Sequence, residues 1–164
     1  MKNVILIFAL LLSISMNSQE NKTGISGKNE LKVNGLNTIL GFPEISYERI
    51  LNDESGLGFS IGFSADDSID YKFGVTPYYR FYFGKKRAAG MFLESSVSLF
   101  SAESDKNQNE NLFGGGFGIG IGGKFLTNNG WIGELIVGAG RNFINDDGLD
   151  SAYPRIGISF GKRF

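Results

Sequence analysis

Residues 113–125 read FGGGFGIGIGGKF. The odd positions carry Phe113, Gly115, Phe117, Ile119, Ile121, Gly123 and Phe125; the even positions carry five glycines and Lys124. Side chains on a strand alternate between its two faces, so one face is mostly large and apolar and the other almost bare. A half-buried strand in a soluble sheet carries polar groups on its second face. Bulk on one side and glycine on the other fits the wall of a small transmembrane barrel. There the bulky face meets lipid and a cramped interior takes small residues and a few charges.

The same alternation recurs along the chain. In 57–64, Leu57, Phe59, Ile61 and Phe63 oppose Gly58, Ser60, Gly62 and Ser64. Strands are expected at 30–42, 44–51, 57–64, 71–83, 89–101, 113–125, 131–143 and 153–164. The first is read as one strand with an irregularity at Asn34-Gly35. Pro77, mid-strand without an N–H, predicts a local bulge. Short turns at 52–56, 84–88 and 127–130 alternate with longer loops at 65–70, 102–112 and 144–152, and no segment has a helical period. The expected fold is all-β: an eight-stranded antiparallel transmembrane barrel, an up-and-down meander.

Composition narrows the chemistry. The 164 residues suffice for one domain, and a net charge of −1 leaves no basic footprint for nucleic acid. There is no cysteine and no histidine, which removes disulfides, thiolate sites, and the commonest general base and metal ligand. Lys2, an apolar run over 4–14 and the small residue Ser18 before Gln19 describe a secretory signal peptide, 1–18, with cleavage between Ser18 and Gln19. The run is too short for a membrane helix, which needs ~20 apolar residues. Residues 19–29 read as a flexible lead-in, and 30–164 as the barrel domain.

Aromatic residues gather at strand ends: Phe63, Tyr71, Phe113, Phe143 and Tyr153 at one set, Phe83, Phe125, Trp131 and Phe164 at the other. Girdles of this kind mark the two interfaces of outer-membrane barrels. The signal peptide, the alternating strands and the terminal RIGISFGKRF, with Phe160 and Phe164 on one face, resemble the small eight-stranded outer-membrane β-barrel proteins of the OmpX and OmpA-barrel kind. The resemblance covers about residues 30–164. It implies a bacterial outer-membrane location and a C-terminal aromatic read by the barrel-assembly machinery; short periplasmic turns and long outer loops would put both termini in the periplasm. The resemblance is silent on activity.

Gly118, Gly120 and Gly123 match GxGxxG, but they lie inside a strand and a turn follows, so the nucleotide-binding context is missing. Strand parity turns Glu48, Lys72, Arg80, Glu94, Lys124, Glu134 and Arg155 inward. Charges in a narrow interior need partners, which predicts an ion-pair network plugging the barrel. The alternative is a charge-lined pore for ions or small solutes. The outer loops are acidic, through Asp66, Asp67, Asp70, Glu103, Asp105, Glu110, Asp146, Asp147 and Asp150 against Lys106. NDDGLD at 145–150 lacks the spacing of a calcium loop. Solvated loops are one reading; bridging of divalent cations to lipid phosphates, or a basic surface partner, is the sharper one. The expected role is structural or interactive through these loops, as a monomer, without cofactor or catalysis. A soluble lipocalin-like carrier is a third reading, and it requires the bulky residues to face inward.

Overall fold

A computed structural model describes residues 27–64, 71–84, 86–104, 107–144 and 150–164, and for 103–104 and 107–111 the backbone alone. Ser18, Gln19 and the rest of 1–26 lie outside the described residues. Eight strands form a closed antiparallel barrel in sequence order. They are β1 (Asn29–Asn34), β2 (Glu44–Ile50), β3 (Ser55–Phe63), β4 (Tyr71–Tyr82), β5 (Gly90–Ser104), β6 (Asn107–Leu126), β7 (Trp131–Ile144) and β8 (Ala152–Arg163). The wall closes where β1 pairs with β8, from Glu30↔Arg163 to Asn34↔Ser159. Asn29 and Phe164 exchange both backbone hydrogen bonds across this seam, at 3.1 and 2.8 Å.

The two faces point as the alternation requires. Phe117, Ile119 and Leu135 are 48, 65 and 51% exposed on the outside of the wall. Phe63, Phe113 and Phe143 stand outside near the loop end, and Phe83, Phe125, Trp131 and Phe164 near the turn end. Inside, Glu30, Lys32, Glu48, Arg80, Lys124 and Arg163 are buried. The molecule is thus the inverse of a soluble barrel, which hides its apolar residues and wets its charged ones.

The bare inner face has a packing reason. Aromatic rings from neighbouring strands lie across the glycines: Phe92 covers its cross-strand partner Gly122, Tyr78 covers Gly58 and Tyr153 covers Gly140. A Cβ at any of the three would run into the ring. At the turn end Ala88 tucks inward against Ile50, Tyr82 and Phe92, closing that mouth with apolar side chains.

Four local expectations are corrected. Residues 30–42 are not one strand: β1 ends at Asn34 and a one-turn helix, α1 (Gly35–Ile39), follows. Asn34 caps it, its Oδ1 accepting from Asn37 N at 3.2 Å, and Gly41 at φ +89° ends it in the left-handed region. Pro77 carries no bulge: the register holds from Val75↔Leu99 to Tyr78↔Ser96, and the slip lies between Tyr71 and Phe73. The loop expected at 102–112 is largely strand, since β5 and β6 continue pairing to Ser104↔Asn107. Finally, Tyr71 and Tyr153 belong to no outer girdle. Both pack inside on Phe100, with ring centroids at 4.9 and 5.8 Å. Tyr153 shares strand parity with the inward Arg155, and the slip beside Tyr71 turns that ring in.

Candidate functional site

The interior charges form one column of alternating sign that runs along the barrel. Arg163 of β8 donates Nε to Glu30 of β1 at 2.8 Å, and Lys124 of β6 donates to the other oxygen of Glu30 at 2.7 Å. Lys124 continues to Glu48 of β2 at 3.1 Å, and Glu48 accepts from Arg80 of β4 at 3.0 Å. Arg80 donates Nε to Glu94 of β5 at 2.8 Å, Glu94 accepts from Arg155 of β8 at 2.9 Å, and Arg155 reaches Glu44 of β2 at 2.9 Å. Lys32 and Glu134 brace the middle: Lys32 donates to Glu48 at 2.7 Å and to Glu134 at 2.9 Å, and Glu134 accepts from Arg80 at 2.7 Å.

Every strand but β3 supplies at least one member, so the column ties the wall together across its width. Among the described residues five carboxylates (Glu30, Glu44, Glu48, Glu94, Glu134) meet five cations (Lys32, Arg80, Lys124, Arg155, Arg163), and their charge closes to zero. Tyr82 bonds both Glu48 and Lys124, and Arg80 sits between the rings of Tyr78 and Phe92, 4.5 and 4.3 Å from their centroids. Such stacking holds the guanidinium in register with its carboxylates. At the turn end Arg163 also donates to the carbonyls of Arg87 and Ala88, both at 2.8 Å, which fastens the closing turn to the column.

Six of the seven charges expected inside thus meet in one assembly: Glu48, Arg80, Glu94, Lys124, Glu134 and Arg155. Lys72 does not join it. It lies eight residues from Arg80 along β4, ~26 Å at strand rise, beyond the slip at Tyr71. Glu30, Lys32, Glu44 and Arg163 are the members that the sequence reading left out. Their inward parity was readable, but they sit at strand ends, where a charge is equally at home in water. Phe160 of β8 and Phe164, just past its end, stand on the outer surface, 54 and 61% exposed. Of the acidic loop residues, Asp66, Asp67, Asp70, Asp105, Asp146 and Asp147, with Lys106, lie outside the described residues, as do the side chains of Glu103 and Glu110; Asp150 is exposed. Among the described residues no group of three or more acidic side chains is placed to hold a metal ion.

Above the Glu44–Arg155 pair, toward the loop end, the side chains part around a cavity of about 400 Å³. Phe100, Tyr71 and Tyr153 form part of its wall, and Ser60, Thr76 and Ser98 another part. No family model matches the chain, and no curated protein or solved structure matches it either.

Proposed function

We propose that the chain is a bacterial outer-membrane β-barrel protein, akin to the OmpX and OmpA-barrel kind. In this reading a sealed, rigid barrel has a structural or surface-interaction role and presents acidic loops outside the cell. The observation that carries the proposal is the inverted distribution of side chains. A belt of half-exposed apolar residues, bounded by aromatics at both ends, surrounds a neutral column of buried charge. Water gains nothing from such an exterior, and hydrocarbon of matching height does. Lys162 over the ring of Trp131, at 5.5 Å, is the kind of pair that suits a headgroup interface. The soluble carrier draws no support from a wall whose large apolar side chains point out.

The narrow-pore alternative has no open section to recommend it. At the level of Glu48 the cross-section is occupied by Lys32, Lys124 and Glu48, whose side chains have no exposed area. Each carboxylate of the column is committed to a cation, so acid–base catalysis is not assigned to it. The partners in this reading are membrane lipid and the barrel-assembly machinery, with Phe160 and Phe164 as the signal it reads. A divalent cation or a basic surface partner would meet the acidic loops. Fractionation tests the placement. The protein should partition with the outer membrane, resist carbonate extraction and shift its gel mobility on heating; recovery in the soluble fraction would overturn it. Planar-bilayer recordings should show no steady openings, and stepwise conductance would favour the pore.

A further inference from the structure

The cavity above the column has a composition of its own. Its size falls in the lower part of the range of small-molecule sites, and the mouth of a barrel is a common place for one. Its floor is Arg155, which donates Nε to Glu94 and Nη1 to Glu44 and keeps its side chain 11% exposed. A guanidinium carries five N–H donors, so an arginine at the floor of a cavity can take a further acceptor. On one side, Thr76 and Ser98 bond each other through their hydroxyls at 3.0 Å. On another, Tyr71 and Tyr153 pack on Phe100, tilted at 46° and edge-on at 67°, and make an aromatic wall.

Charge decides what kind of guest fits. Among the described residues Arg155 is already neutralised by Glu44 and Glu94 and the column balances, so an ionised guest would add a charge that the column does not pair in a largely apolar space. A neutral guest brings no such penalty. We propose that this cavity is a binding site for a small, neutral, flat and mostly apolar molecule bearing a carbonyl-type acceptor. The acceptor takes an N–H of Arg155, and the apolar body lies against Tyr71, Phe100 and Tyr153. The proposal does not depend on the role given to the loops.

A fitting probe is 6-propionyl-2-(dimethylamino)naphthalene, which has a flat body, no charge and one ketone. Added to the full chain folded in micelles, it should shift the backbone amide resonances of Gly62 and Gly74 to a plateau. Outward positions such as Ile119 should change only in proportion to probe taken up by the micelle. Gly74→Phe fills the cavity at a position where an added Cβ meets only ordinary contacts, with Phe100 Cβ at 3.5 Å and Leu99 O at 3.7 Å. This variant should weaken binding at least tenfold while keeping a dispersed spectrum; Gly74→Leu serves in its place if Phe fails to fold. 2-(Dimethylamino)naphthalene, which lacks the ketone, should also bind about tenfold more weakly. Shifts without a plateau, or a plateau unchanged by the filled variant, would overturn the site. Equal affinity for the two probes would overturn the part given to Arg155.

Discussion

Replacing Glu48 by Gln is the sharpest test of the ionic column. Glu48 lies at its centre, with no exposed side-chain area, and accepts from Lys32 at 2.7 Å, Arg80 at 3.0 Å and Lys124 at 3.1 Å. Glutamine keeps the shape and one acceptor, but it turns an NH₂ toward cations and leaves the assembly one charge positive. Removing one partner of a buried pair costs about 3–5 kcal/mol, because the remaining charge stays buried and uncompensated. At 1.4 kcal/mol per decade this lowers the folded-to-unfolded ratio by about a hundredfold to a few thousandfold. Trp131, the single tryptophan, stands at the rim of the wall, and its fluorescence reports urea unfolding from lipid vesicles. The midpoint should fall with an unchanged slope. Lys124→Met alone should be comparably costly. The double variant Glu48→Gln with Lys124→Met restores neutrality and should cost clearly less than the sum of the two singles. A Glu48→Gln protein within about 1 kcal/mol of the parent, or additive singles, would refute the column as a coupled unit.

Three further outcomes follow from the same geometry. Exchanging both Glu94 and Glu134 for Gln strips Arg80 of two carboxylates, at 2.8 and 2.7 Å, and should lower the melting temperature in detergent; an unchanged value counts against the network. Phe92→Ala, which uncovers Gly122 and removes the ring beside Arg80, should cost about 3–5 kcal/mol by urea unfolding, in line with other buried Phe truncations. Ile119→Arg places a charge midway along the outer belt. If that belt meets hydrocarbon, refolding into vesicles should lose about 2–4 kcal/mol. A change within about 0.5 kcal/mol, as on a water-facing surface, would argue against the membrane placement.

Much of this was legible from residue parity alone. The GFGIGIG run, the matching LGFSIGFS run and the alternating charges of β2, β4 and β5 set which side chains face in, and that sufficed for an eight-stranded closed barrel. What parity leaves open is height and register. Glu30, Lys32 and Arg163 look like rim charges until the β1–β8 pairing aligns them with Lys124 and Glu134 of other strands. The glycine face reads as empty space, because only register reveals that Phe92, Tyr78 and Tyr153 fill it. Tyr71 was misplaced by a slip invisible in sequence, and Tyr153 by trusting residue type over parity. Asn34-Gly35 carries a turn signal, but a turn there leaves two stubs too short to cross a membrane, which in sequence favours a single strand. Leu36, Ile39 and Leu40 suit a strand, yet the Asn34 cap makes them a helical turn.

The seam between β1 and β8 also governs the order of assembly. Glu30 and Lys32 come from β1 and Arg163 from β8, so β8 must be in place before Glu30 has both its cations. Contacts this distant in sequence form slowly, since the loop entropy comes before the reward. If the wall lies in a bilayer, then until β1 and β8 meet several ionised groups and two unpaired strand edges would face lipid, which tolerates neither. On the membrane reading, zipping shut and entering the bilayer are therefore expected to be a single event. A chain that stalls with its ends apart is not a half-finished barrel but a sheet with nowhere to go.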